Sequence, residues 1–132
     1  MPPITDGHYL LTWEEAIWVN NRVLRNEELH EVMFPDQLEA ALARPYTGYM
    51  PELAEKAAAI VRSIAGQQIF ANGNKRTAIF LVLLLIRNSG YRLDPGDNRL
   101  PDLFEELMLN IATRRISFGE TVEWASFEFG VG

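Results

Sequence analysis

The sequence predicts an all-α domain: a helical bundle with a buried central helix and at most one short hairpin. Apolar residues recur at three- and four-residue spacing along almost the whole chain, the period of helices packed on one face. Two Ser/Thr-x-x-Glu patterns, Thr12 to Glu15 and Ser117 to Glu120, mark helix starts. The longest apolar run, Ala78 to Ile86, is flanked by residues that extend it to ordinary helix length.

Each element follows in order. Behind Thr12, the residues Trp13, Ile17 and Leu24 form one helical stripe. Asn20 lies on that stripe, either as a satisfied core amide or facing a site. Pro35-Asp36 opens a short helix carrying Leu38, Ala41 and Leu42. Arg44 to Tyr49 reads as a loop, punctuated by Pro45 and Gly48. Pro51 suits the first turn of a helix that shows Leu53, Ala57, Ile60, Val61 and Ile64 on one face and stops near Gly66. A further helix runs from about Asn74 to Ser89, with Gly90 placed to end it. Its run Ile79 to Ile86 is apolar on every side, so this helix is expected at the centre and most buried. Asp94-Pro95-Gly96-Asp97 is a turn, and Leu103, Phe104, Leu107, Met108 and Ile111 make an amphipathic helix. Val122, Trp124 and Ala125 belong to the last helix. A hairpin, if present, is expected near Tyr91-Arg92-Leu93.

A chain of 132 residues is expected to form a single domain over 1–132. It contains no cysteine, which excludes a disulfide scaffold, a thiolate metal site and a cysteine nucleophile. Twelve basic against eighteen acidic residues leave a net charge of −6, unlike the dominant basic face of a broad nucleic-acid footprint. Met1 to Asp6 lacks the charged and apolar regions of a signal peptide, and a nine-residue apolar run is far short of a membrane span. The expectation is a cytoplasmic protein with neither nucleic-acid nor membrane partners.

One segment carries chemistry: Gly66 to Thr77, between the two central helices. Lys75 and Arg76 fall in a helix's first turn, where the macrodipole is positive and each cation costs about 0.3–1 kcal/mol. First-turn N–H groups need partners, and Gly73 permits close approach. A bound phosphate group would offset these costs. In the alternative, Asn72 or Asn74 is simply the N-cap, and the two cations are solvated or paired with a carboxylate such as Glu105. A Walker A loop is excluded, since no Gly directly precedes the Lys and no strand leads into it.

Gln68-Ile69-Phe70-Ala71-Asn72-Gly73-Asn74-Lys75-Arg76 resembles the signature of the Fic/Doc family, His-x-Phe-x-(Asp/Asn)-(Gly/Ala)-Asn-Lys-Arg, and its Doc (death-on-curing) branch in particular. Six of the seven specified positions match. The resemblance implies a Fic/Doc-like fold with Phe70 as the apolar anchor of the loop. It also implies Mg²⁺ held on nucleotide phosphates with help from Asn72, and a phosphate cradle of Gly73 and Asn74 contacted by Arg76. Lys75 stands where AMP-transferring members carry a second glycine. In Doc-type proteins that lysine goes with a reversed ATP and transfer of its γ-phosphoryl group to a protein hydroxyl. Doc relatives are toxins of toxin–antitoxin pairs, their known substrate class is a translation elongation factor, and their antitoxin folds a C-terminal segment onto the toxin. Trp18, Tyr46 and Tyr49 are candidates to line such a groove.

The departure from the pattern is Gln68, where the family carries its catalytic His. That His takes a proton from the attacking hydroxyl, and an amide has no useful basicity for the task. Losing a general base costs on the order of 10²–10⁴ in rate. The implied activity is therefore impaired or absent, and the alternative is a non-catalytic nucleotide- or partner-binding protein of the same fold. Only His8 and His30 remain as histidines. His30, flanked by Glu28 and Glu31, reads as a surface residue.

Overall fold

The computed structural model describes residues 4–5, 7–47, 49–91 and 116–132. The chain begins with an antiparallel pair, β1 (Ile4–Thr5) and β2 (His8–Tyr9). Four helices follow: α1 (Trp13–Val23), α2 (Pro35–Ala43), α3 (Leu53–Ala65) and α4 (Asn74–Asn88). A further helix, α5, spans Phe118–Phe129. The all-α expectation holds, with one hairpin among the described residues. That hairpin lies near the N-terminus, and the hairpin expected near Tyr91-Arg92-Leu93 falls, beyond Tyr91, outside the described residues. The turn expected at Asp94–Asp97 and the helix expected from Leu103 to Ile111 lie outside the described residues, as does Glu105.

Local chemistry sets the helix ends. Thr12 accepts from the Glu15 N–H while the Glu15 carboxylate takes the Thr12 N–H at 2.8 Å, a closed capping box. Ser117 and Glu120 do the same for α5. Pro35 occupies the first turn of α2, where its missing N–H is not needed. Arg44–Tyr46, expected as loop, tightens into a single 3₁₀ turn. Pro51 falls just before α3 instead of inside it, because Glu52 is the N-cap and forms its own box with Glu55. Gly90, with φ of 98°, follows the end of α4.

The core lies where α3 packs on α4 and α5, with α1 also packed against α4. Centrality and burial separate here. Ten of thirteen α3 residues are buried, against six of fifteen in α4, so α3 is the most buried helix described. Alanines 54, 57, 58 and 59 let neighbouring elements close around α3, whereas Phe80 leaves α4 with an exposed aromatic. The α3 face includes one charged residue, Lys56, fully buried. Its ammonium donates to the Met50 carbonyl at 2.7 Å, lies 2.9 Å from His8 Nδ1 and sits over the Tyr46 ring. Buried lysines require partners of this kind. Among the described residues no helix is long and apolar enough to cross a membrane.

Candidate functional site

The segment joining α3 to α4 is held from below by apolar burial and from the side by backbone pairing. Ile69 and Phe70 are fully buried. Phe70 pairs antiparallel with Val32, and the Ala71 N–H donates to the Glu31 carbonyl at 2.9 Å. The Met33 N–H donates to the Ile69 carbonyl at 2.8 Å, and the Phe34 N–H approaches the same oxygen at 3.2 Å. The segment between α1 and α2 thus runs alongside the loop.

Asn74 fixes the turn from within. Its Oδ1 accepts the Phe70 N–H at 2.9 Å and its Nδ2 donates to the Phe70 carbonyl at 2.8 Å. Neither Asn72 nor Asn74 is the N-cap of α4; Gly73 is, with φ of 77°. A Cβ there would lie 3.3 Å from Leu24 Cδ2 and 3.4 Å from both Asn20 Nδ2 and Val23 Cγ2. The missing side chain makes room for α1.

Asn20 is the second brace. It is fully buried, and its Nδ2 donates to the Asn72 carbonyl at 2.8 Å and to Thr77 Oγ1 at 3.1 Å. The core-amide reading is correct, and the amide also ties α1 to the motif loop. With Nδ2 used as donor to a carbonyl, Oδ1 must accept. It lies 2.8 Å from His30 Nδ1, so that nitrogen carries the hydrogen. His30 is exposed, yet its ring is anchored to the brace of the loop and is more than a surface residue.

At the start of α4 the N–H groups of Asn74, Lys75 and Arg76 have no acceptor among the described residues, and Gly73 supplies no capping side chain. Lys75 is exposed, without a hydrogen-bond or ion-pair partner among the described residues. Arg76 is engaged: it donates to the Val23 carbonyl and, at 2.8 Å, to Glu28 Oε2. The Arg76 hydrogen bond, with the Arg25 N–H next, holds the Glu28 carboxyl below the usual carboxylate range. Asn72 is half-buried; its Nδ2 donates to the Leu29 carbonyl at 3.3 Å, and its Oδ1 has no partner among the described residues. Gln68 is exposed, with only a long 3.5 Å contact from Nε2 to the Ala71 carbonyl.

The motif residues are therefore gathered at one helix start, between α1 and the segment preceding α2. Sequence reasoning missed Glu28 and the attachment of His30, because both act across long chain separations with no local pattern. The model of the Fic/DOC family matches residues 10–86, more than half of the chain. The chain belongs to the Fic/DOC family. No match is found among the curated proteins. The matched span of this Fic/DOC domain contains the loop, all of α3, α4 up to Ile86 and the braces from α1. Fic-type AMP or phosphoryl transfer is the class of chemistry that family membership indicates.

Of the three aromatics considered for a partner groove, Tyr49 is 91% exposed and Trp18 58%. Tyr46 is turned inward. Its hydroxyl donates to the Tyr9 carbonyl, and its ring borders an internal crevice with Leu11, Leu42 and Ile60.

Proposed function

We propose that this Fic/DOC protein is a Doc-like cytoplasmic toxin of a toxin–antitoxin pair that transfers the γ-phosphoryl group of ATP to a protein hydroxyl, such as one on a translation elongation factor. Its turnover is impaired by Gln68. The observation that carries the reading is the start of α4, where three N–H groups with no acceptor among the described residues and the exposed Lys75 lie beside the motif loop. Transfer of AMP is the less favoured chemistry, because Lys75 occupies the position of the second glycine in AMP-transferring members.

The residues divide the work. The N–H groups of Asn74 to Arg76 and the Lys75 ammonium bind phosphate oxygens. Phe70 and the Asn74 side chain hold the loop that presents them. Arg76 contributes through charge already shared with Glu28, so its phosphate contact is weaker than the motif alone implies. The Oδ1 of Asn72, without a partner among the described residues, fits a hard cation, though less well than a carboxylate does. Mg²⁺ held there would neutralise charge on the nucleotide phosphates. Gln68 can orient the incoming hydroxyl but cannot take its proton.

The second reading, a non-catalytic nucleotide- or partner-binding protein, is favoured by the amide at position 68 and its loose 3.5 Å contact. Under either reading an antitoxin segment would cover exposed aromatics such as Trp18 and Tyr49. Calorimetric titration with ATP tests the shared part. Lys75→Glu is expected to abolish binding without loss of helix content, and unchanged affinity would place the nucleotide elsewhere. Label transfer from ATP to a cell lysate separates the two readings.

A further inference from the structure

His30, outside the motif in sequence, is built into the site. Asn20 commits Nδ2 to the Asn72 carbonyl and Thr77 Oγ1, so its Oδ1 accepts from His30 Nδ1 at 2.8 Å. A neutral imidazole with its hydrogen on Nδ1 keeps its lone pair on Nε2. The His30 backbone is fixed on both sides, since the Leu29 carbonyl accepts from Asn72 and the Glu31 carbonyl from Ala71. Its ring borders an open cleft of about 390 Å³, walled by Trp13, Ile17 and Trp18 and edged by Glu14 and Asn21. A base oriented by one hydrogen bond and open at its other nitrogen is the arrangement that proton transfer requires.

We propose that His30 is the proton acceptor of this site, replacing the basic side chain absent at position 68, and that the α1 cleft receives the segment of protein substrate bearing the hydroxyl. The proposal rests on the phosphoryl-transfer reading above. The substrate O–H bond breaks and its proton passes to His30 Nε2, giving an imidazolium. The hydroxyl oxygen forms a bond to the γ-phosphorus of a nucleoside triphosphate. The bond from that phosphorus to its bridging oxygen breaks, and the nucleoside diphosphate leaves with the electron pair. Asn20 is a positioning residue: its Oδ1 selects the tautomer and then stabilises the imidazolium's Nδ1–H.

The charges around His30 come from three elements. Glu14 of α1 shares the cleft, and Arg22 of α1 stacks over Trp18. Glu28 and Glu31 flank His30 in its own segment, and Arg76 of α4 is neutralised by Glu28.

Two experiments on the intact chain test the proposal. The first is ¹⁵N NMR of the free protein, which reads the tautomer without any turnover. The expected result is hydrogen on Nδ1 and a bare Nε2; hydrogen on Nε2 would overturn the proposal. The second is the pH profile of γ-phosphoryl transfer from ATP to lysate protein, for the wild type and His30→Gln, whose amide can still donate to Asn20. The expected result is residual transfer that falls at least about a hundredfold in His30→Gln across the whole profile, with ATP affinity and thermal midpoint retained. An unchanged rate and profile in the variant would overturn the proposal. A wild type that binds ATP yet transfers nothing refutes His30 as acceptor while leaving the phosphate site standing; failure to bind ATP refutes the phosphate-site reading itself.

Discussion

Asn74 grips the backbone of Phe70 with both ends of its amide, accepting the N–H at 2.9 Å and donating to the carbonyl at 2.8 Å. An amide is the one side chain of this length that offers an acceptor and a donor in a fork. This explains why the position carries Asn in a loop that also has to hold Phe70 in the core.

Asn74→Asp keeps the acceptor and sets a carboxylate oxygen against the Phe70 carbonyl. The expected loss is about 1–3 kcal/mol, read as a lower urea midpoint. Asn74→Ala removes both bonds and is expected to cost at least as much.

Gly73→Ala forces a Cβ into φ of 77° and against Leu24 at 3.3 Å. The left-handed conformation alone costs roughly 1–2 kcal/mol. Urea denaturation is expected to show at least that loss, with the damage centred on the contact between α1 and the loop.

The starts of α1 and α5 are legible in the sequence because each capping box lies within four consecutive residues. Gly73 and the cationic first turn of α4 are legible for the same reason. What holds them is not. Asn20 reaches Asn72 across 52 positions, and Glu28 reaches Arg76 across 48. Lys56 falls on an otherwise apolar stripe, and one of its partners, His8, is 48 positions away. The greater burial of α3 than of α4 is illegible for a different reason. A fully apolar circumference signals what a helix tolerates, while the alanines of α3 decide how closely its neighbours approach.

Glu28 supplies an acid-dependent contribution. Arg76 and the Arg25 N–H lower its pKa in the folded state, so the stabilisation is present above the unfolded carboxylate range and is lost as pH falls through the folded value. Glu28→Gln is expected to flatten the low-pH limb of stability, checked by thermal midpoints from about pH 7 down to about pH 3.

Tyr9 acts at the other end of the scale. Burial, then the hydrogen bond to Glu15 and its charge, push the phenol up to about 12. The hydroxyl donates to Glu15 Oε2 at 2.6 Å. A raised value means that the fold prefers the protonated phenol. This contribution is complete below the ordinary value of about 10 and is lost as pH rises through about 12. Tyr9→Phe is expected to remove that alkaline loss, read from urea midpoints across the same range.

The most direct measurement follows label from ATP into protein for the wild type and Gln68→His. Restoring a titrating side chain to a loop whose other signature residues are in place is expected to speed transfer by on the order of 10² or more. Label in the γ-phosphate is expected to move and label in the α-phosphate to stay with the nucleotide. A Gln68→His protein that binds ATP but transfers no faster than the wild type, or that moves the α-label, would contradict the account.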